Sequence, residues 1–138
     1  DFGCVKSLNS NELIQFCSLL KALVKEHQDG GNTHEIVTVY KDIGMITDDV
    51  TVDIYKNEIE PIIWPVQYWF IEPFINETFD FSRKGPFPII PPYKSMSITQ
   101  YFNNIPRDQV YFNRFYTGIM FLLENIGAVI KTKNTFLK

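Results

Sequence analysis

Three residues at the start of the chain, Asp1, Phe2 and Gly3, are of types and in an order that can support chemistry. A carboxylate on a turn is a hard oxygen ligand, and in an Asp-Phe-Gly segment it can hold the Mg²⁺ ion that bridges the phosphates of a nucleotide. The same tripeptide can also be a simple turn, since Asp and Gly are both common turn residues. The segment makes Asp1 a candidate metal ligand and Gly3 a structural residue of the turn.

Length and composition limit the class of protein. The 138 residues are 45% hydrophobic, which predicts a single unit over residues 1–138 with a real core. The net charge of −3 leaves no basic face for a phosphate backbone, so no nucleic-acid partner is expected. Cys4 and Cys17 form no Cys-x-x-Cys motif, which is typical of a reduced, intracellular protein. Because the chain starts at Asp rather than Met, we expect it to be part of a longer protein, and any membrane anchor would lie outside this sequence.

Helical periodicity dominates the first sixty residues. Apolar residues at three- and four-residue spacing predict a helix over residues 10–27. Asn32, with a Glu three positions later, predicts a capping box for a second helix, which Gly44 closes. Thr47 is the next start signal, and the spacing of apolar residues predicts a third helix over residues 50–60.

The middle of the chain is aromatic and then rich in proline. Prolines punctuate residues 61–81, which predicts a bent or broken helix. The aromatic residues there can form a core or a surface for a lipid or a protein partner, and the sequence leaves both open. Residues 83–94 are predicted to be a stiff surface connector, with a weak Pro-x-x-P pattern at Pro88 to Pro91.

The last third of the chain predicts a short helical turn from Ser97 and then a long helix that Pro106 opens and Gly127 ends. If Arg114 is buried or half-buried, its guanidinium needs a carboxylate or carbonyl partner, which makes it a structural clamp. Gly118, four residues later on the same face, predicts a close approach of another element to the helix. The predicted apolar side consists of Val110, Phe115, Ile119, Leu122, Leu123 and Ile126. The tail from Lys131 to Lys138 is expected to be polar and frayed.

Other polar residues are weaker candidates. Five acidic residues between Asp48 and Glu60 have the composition of a metal cluster, but a solvated helix face is the simpler interpretation. His27 is interpreted as a solvated residue near a helix C-terminus, and His34 as a neutral or surface residue in a first turn.

The spacing after Gly3 restricts any kinase-type interpretation. An ordinary protein kinase has a long activation loop and an Ala-Pro-Glu segment after its Asp-Phe-Gly. Here the predicted helix begins near Ser10, which leaves no room for a phosphorylation-gated loop, and no Ala-Pro-Glu occurs in the chain. A kinase fold built on this sequence would lie outside the standard protein-kinase branch.

Three stretches, in chain order, carry a family resemblance. Residues 1–6 (DFGCVK) run at once into a helix, and residues 39–47 (VYKDIGMIT) end a helix at a Gly before an acidic start. Residues 105–128 begin with a Pro-Arg pair at a predicted helix start and have Arg-x-x-x-Gly near their centre. They end in the sequence LLENIGA. Together these stretches resemble the C-terminal part of the AarF/UbiB family of atypical kinase-like proteins, which includes the coenzyme-Q-associated kinases of mitochondria and plastids. Residues 61–97 match poorly.

The resemblance implies an all-α fold, namely the helical C-lobe portion of a protein-kinase-like domain. It implies that Asp1 is the Mg²⁺ ligand, that the intact protein binds ATP and Mg²⁺, and that the later helices are scaffold. It also implies a role in ubiquinone biosynthesis or lipid metabolism, with membrane or lipid association at a bacterial inner membrane, a mitochondrion or a plastid.

The same resemblance implies that this piece is inactive alone. The nucleotide-binding lobe, the Lys-x-Gly-Gln segment and, ahead of the Asp-Phe-Gly, a His-x-Asp catalytic loop with its metal-binding Asn are absent from the 138 residues, and positioning by those parts is the catalysis of phosphoryl transfer. The rival hypothesis is a non-enzymatic helical module that binds a protein or a lipid surface through the aromatic stretch from Trp64 to Phe81.

Overall fold

The computed structural model describes residues 10–104 and 107–132, and this part of the chain is mostly helical. An all-α class is therefore confirmed in its coarse form, with one small two-stranded sheet added. None of the helices among the described residues is long and apolar enough to cross a bilayer. The elements are α1 (Ser10–Asp29), α2 (Thr33–Ile43), α3 (Val52–Ile54), α4 (Glu60–Ile71), β1 (Thr78–Asp80), α5 (Pro92–Ile98), α6 (Arg107–Ile126) and β2 (Val129–Lys131).

The first helix follows its prediction closely. α1 extends over Ser10–Asp29, and Phe16, Leu20 and Leu23 of its apolar stripe are buried, whereas Leu13 at its N-terminal end is 44% exposed. Gly44 ends α2 with a φ of +82°, a left-handed conformation that glycine adopts without a Cβ penalty. The predicted capping box at Asn32 is wrong. The Asn32 side chain makes no cap hydrogen bond, and its Nδ2 instead donates to Ala22 O at 3.0 Å.

The third helical segment starts later than predicted. Its N-cap is Thr51 rather than Thr47, and the Thr51 hydroxyl accepts from Ile54 N at 3.1 Å. A π-helical turn, Tyr55–Ile59, joins α3 to α4 without a break. We attribute this wide turn to Pro61, which cannot donate a backbone hydrogen bond and whose ring crowds the carbonyl four residues earlier.

The region predicted as one bent helix over residues 61–81 is only partly helical. α4 runs to Ile71 with Pro65 inside it, and a 3₁₀ turn, Glu72–Phe74, follows. The chain then forms β1, which pairs antiparallel with β2 so that Phe79 faces Ile130. A helix is therefore the wrong prediction for residues 78–80. The tail prediction is also wrong at its start, because Lys131 is in β2 and Thr132 is buried.

The proline-rich connector is confirmed between residues 84 and 91, where the chain has no regular structure. It ends sooner than predicted, because α5 begins at Pro92. Ser97 is near the end of α5 and is not a cap, which corrects the predicted start at that residue. After α5 the chain returns to the end of α2, where Thr47 N donates to Tyr101 O at 2.9 Å and Asn103 N donates to Met45 O at 3.0 Å.

The long C-terminal helix exists, but its apolar side is not the predicted one. α6 ends at Gly127, whose φ is +62°, while Pro106 lies outside the described residues. Among the described side chains of α6, Tyr116 and Met120 are the most buried, with Phe112 and Leu123 packed against the core at its edge. Of the side predicted to be buried, the exposed members are Val110, Phe115, Ile119, Leu122 and Ile126.

The core lies between α1, α2, the segment around the π-helical turn and the inward side of α6. Its fully buried members include Ile36, Tyr55, Ile59 and Ile71. Phe16 of α1 meets Phe112 of α6 with 3.8 Å between ring centroids, so the first and last helices share this core. The sheet and the proline-rich connector close the side next to α6, where Phe81 N donates to Ala128 O at 2.8 Å.

Candidate functional site

The residues with the clearest chemical prediction, Asp1 and Gly3, lie outside the described residues. The Mg²⁺ ligand and the nucleotide partner therefore stay predictions. The acidic residues Asp48, Asp49, Asp53 and Glu58 are exposed. Across residues 10–104 and 107–132, no group of three or more His, Cys, Asp or Glu side chains is gathered for a metal ion.

A groove of about 390 Å³ lies between α6 and the start of the proline-rich connector. Trp69, Phe87 and Phe121 give it aromatic walls, and Arg114 contributes a guanidinium. Phe87 is held in place by Trp69, since the two rings meet edge to face with 5.2 Å between centroids. Glu124 also lines the groove, so one carboxylate accompanies the one cation. Aromatic walls with charges of both signs suit an apolar side chain or molecule better than a strongly charged one.

The structure brings Arg114 and Gly118 together in this groove, but not in the expected way. Arg114 is exposed, so the condition for a buried clamp is not met. If Gly118 carried a Cβ, no described atom outside the helix backbone would lie within 4 Å of it. The predicted close approach at Gly118 is therefore wrong within the described part of the chain, and the glycine faces open space.

Lys84, which sequence reasoning missed, lies under the groove with its side chain fully buried. Its ammonium donates to Trp69 O and to Glu72 Oε2, the latter at 3.2 Å, and lies 4.1 Å from the centroid of the Trp69 ring. Burial lowers the pKa of Lys84, and the Glu72 carboxylate opposes that change. Lys84 therefore joins α4 to the connector, while Trp69 Nε1 donates to Gly85 O at 2.9 Å.

A second buried polar group was also missed. Gln67 Nε2 donates to Tyr40 Oη at 2.8 Å and to Tyr55 Oη at 2.6 Å, which links α4, α2 and the π-helical turn. Gln67 Oε1 is buried and has no hydrogen-bond partner among the described residues. Burial raises the pKa of Tyr40 to about 12, against the opposing hydrogen bond from Gln67. Burial also raises the pKa of Tyr55.

The aromatic stretch divides between core and surface. Trp69 is buried, but Trp64 is half-buried and Tyr68 is exposed. The His27 ring of α1 stacks on Trp64 with 5.9 Å between centroids and lies 5.4 Å from Tyr68. His27 is exposed, as predicted, and it belongs to a surface aromatic cluster of His27, Trp64 and Tyr68.

The sequence carries little signal for these features. Lys84 follows Ser82 and Arg83 and precedes Gly85, a composition typical of an exposed loop. Gln67 lies in a strongly apolar helix, so its burial was predictable, but its partners come from positions 27 and 12 residues away. No protein-family model, curated protein or solved structure matches this chain at a significant level.

Proposed function

We propose that the chain is the C-terminal helical part of an atypical kinase or ATPase of the AarF/UbiB type, in which Asp1 holds the Mg²⁺ of bound ATP. One observation carries the proposal: the three stretches that resemble the family occur in the family's order along the chain, and two of them contain the glycine that follows a described helix. Residues 4–9 separate Gly3 from Ser10, the first described residue of α1. Gly44 ends α2, and Gly127 ends α6 directly before Ala128.

In this proposal the described residues supply scaffold and Asp1 supplies one ligand. A carboxylate on Mg²⁺ neutralises charge on the phosphates and fixes their position, which is the main requirement of phosphoryl transfer. The nucleotide-binding lobe and catalytic loop would come from sequence outside these 138 residues. A role in ubiquinone or lipid metabolism at a membrane follows from the same resemblance and shares its support.

The test is Asp1→Asn in the full-length protein. We expect Mg²⁺-dependent ATP binding, measured by titration calorimetry, to be lost, because the amide cannot replace the charge of the carboxylate on the metal. Asp53→Asn, which changes an exposed acid of α3 in the same way, is the matched control and should bind as the parent does. An unchanged Mg²⁺-dependent response in the Asp1→Asn protein would rule out the assignment.

The surface aromatic cluster favours a second candidate function, a helical module that binds a lipid surface. Trp and Tyr side chains with one wet end collect at membrane interfaces. Pro61 and Pro65 are exposed at helical spacing from Trp64 and Tyr68 on the same α4. Trp69, which belongs to the same stretch from Trp64 to Phe81, is buried and is part of the fold instead.

Tryptophan fluorescence tests this candidate. Adding phosphatidylcholine vesicles should shift the emission of the parent to shorter wavelength, because Trp64 would leave water for the interface. Trp64→Phe should remove the shift, since the remaining Trp69 is already buried. Absence of any shift in the parent would exclude a lipid surface as the partner of this cluster.

A further inference from the structure

The outward face of α6 is apolar and open to solvent. Phe115 is 65% exposed, Phe121 67%, Leu122 56% and Ile126 67%. Among the exposed residues of α6 between positions 114 and 126, only Arg114 is charged. These four side chains present on the order of 500 Å² of apolar surface, which is comparable to the largest patch of a typical monomer. The largest apolar patch of a monomer is often a functional surface.

Gly118 lies at the centre of this face. At 100° per residue, Phe115, Gly118, Leu122 and Asn125 follow one another along a single stripe, at spacings of three, four and three residues. Glycine inside a helix costs about 1 kcal/mol relative to alanine. Nothing described in the monomer explains this cost, because the helix is regular there and a Cβ would meet open space. The stripe therefore contains a gap and, four residues later, a protruding leucine.

These features together are self-complementary. When two copies of one helix lie antiparallel about a two-fold axis, a gap and a protrusion on the same stripe meet each other twice.

We propose that a second copy of this chain packs its α6 antiparallel across the outward face of α6, with Leu122 of each copy filling the space over Gly118 of the other. The groove beside Gly118, with its walls of Trp69, Phe87 and Phe121, receives side chains at the edge of this contact. An apolar patch on the order of 500 Å² forms the centre of an interface that needs about 800 Å² per partner, and the remainder is a polar rim.

The pairing does not depend on nucleotide binding. Asp1→Asn is expected to leave it intact, so the failure of the kinase-type function and the failure of this proposal can be told apart.

The test is sedimentation velocity of the 138-residue chain at increasing concentration. We expect a dimer with a micromolar or tighter Kd. Leu122→Arg should be a monomer over the same range, because it places two unpaired charges at the centre of the contact. Met96→Arg, which makes the same change at a 75% exposed residue of α5, is the control and should dimerise as the parent does. Circular dichroism confirms that each variant is folded.

A second variant tests the gap itself. Gly118→Leu adds a side chain to open space in the monomer, so the monomer should fold, while the contact with Leu122 of the other copy is blocked. We expect it to weaken dimerisation at least tenfold. A parent that stays monomeric up to about 100 μM, far above a micromolar Kd, would overturn the proposal and leave the face for a different partner. Equal dimerisation of the parent and both α6 variants would also overturn it.

Discussion

The first and last helices of this chain are matched in length but differ in which side they bury. α1 and α6 each have twenty residues, and both have apolar residues at helical spacing. In α1 the stripe visible in the sequence, including Leu23, is the one that packs in the core. In α6 the corresponding stripe, including Leu122, faces solvent. Amphipathic spacing therefore identified both helices, but it identified the buried side of only one.

The two helices bury different sides because they differ in the residues opposite the predicted apolar stripe. α1 places Lys21 and Lys25 opposite its stripe, so only one orientation leaves charges in water. α6 has apolar or aromatic residues on both sides, since Tyr116 and Met120 oppose Phe115 and Leu122. A helix with apolar residues on two sides is typical of one with two packing partners. The core of the monomer is one of these partners, and the proposed second copy is the other.

The largest expected effect contrasts the same substitution on the two helices. Leu23→Ala should lower the free energy of unfolding by about 2–5 kcal/mol, because it leaves a cavity in the core. Leu122→Ala should lower the stability of the monomer by less than about 0.5 kcal/mol, because no packed cavity forms at an exposed site. Urea denaturation at low protein concentration measures both. Equal losses would mean that α6 is packed as tightly on its outward side as α1 is in the core.

The next prediction concerns the buried ammonium group of Lys84, which joins the proline-rich connector to α4. Lys84→Met keeps the volume of the side chain but removes the donor to Trp69 O and Glu72, so we expect a loss of about 1–3 kcal/mol. Lys94→Met, at an exposed lysine, is the control and should change little.

The same lysine has a pH signature. Because burial lowers the pKa of Lys84 in the folded state, the unfolded chain binds more protons in the window below the ordinary lysine pKa of about 10.4. The contribution of Lys84 to stability therefore rises with pH in that window. Denaturation curves at several pH values should show this rise in the parent and in Lys94→Met but not in Lys84→Met. An identical slope in all three proteins would exclude a shifted Lys84.

A smaller effect is expected at the buried hydrogen bonds that Gln67 donates to Tyr40 and Tyr55. Tyr40→Phe leaves one N–H of Gln67 without an acceptor, which should cost about 1–2 kcal/mol. Burial raises the pKa of Tyr40 to about 12, so the unfolded chain loses this proton first, from about pH 10. Stability should therefore fall as pH rises from about 10 to 12, and Tyr40→Phe should reduce that fall. Absorbance at alkaline pH follows the ionisation directly, and a Tyr40 that titrates near pH 10 would contradict the burial.

The smallest effects contrast two glycines. Gly44→Ala should destabilise by about 1 kcal/mol, because the left-handed φ of +82° strains any residue with a Cβ. Gly118→Ala should stabilise the monomer by up to about 1 kcal/mol, because alanine favours a helix and the added methyl group meets nothing. Thermal unfolding of the monomer at low concentration distinguishes the two signs. A loss at Gly118 would mean that the helix is already contacted there within one copy.

Local signals explain why much of the helical fold was predictable. The apolar stripe of α1, the glycine that ends α2 and the glycine that ends α6 all act through neighbours within a few residues. β1 was missed because its partner, β2, lies about fifty residues away, and a three-residue strand has too short a pattern to be recognised. Asp1 remains the candidate ligand on sequence grounds alone.

The sequence by itself determined that the chain forms amphipathic helices and which glycines stop α2 and α6, because these properties depend on side-chain spacing and on the conformational freedom of single residues. Only the tertiary structure decided that Lys84 is buried beneath Trp69 and that α6 turns Tyr116 inward and Phe115 outward. The physical reason is that a long side chain or a helix apolar on two sides can satisfy local rules in more than one orientation. The choice depends on distant residues that fill the remaining space.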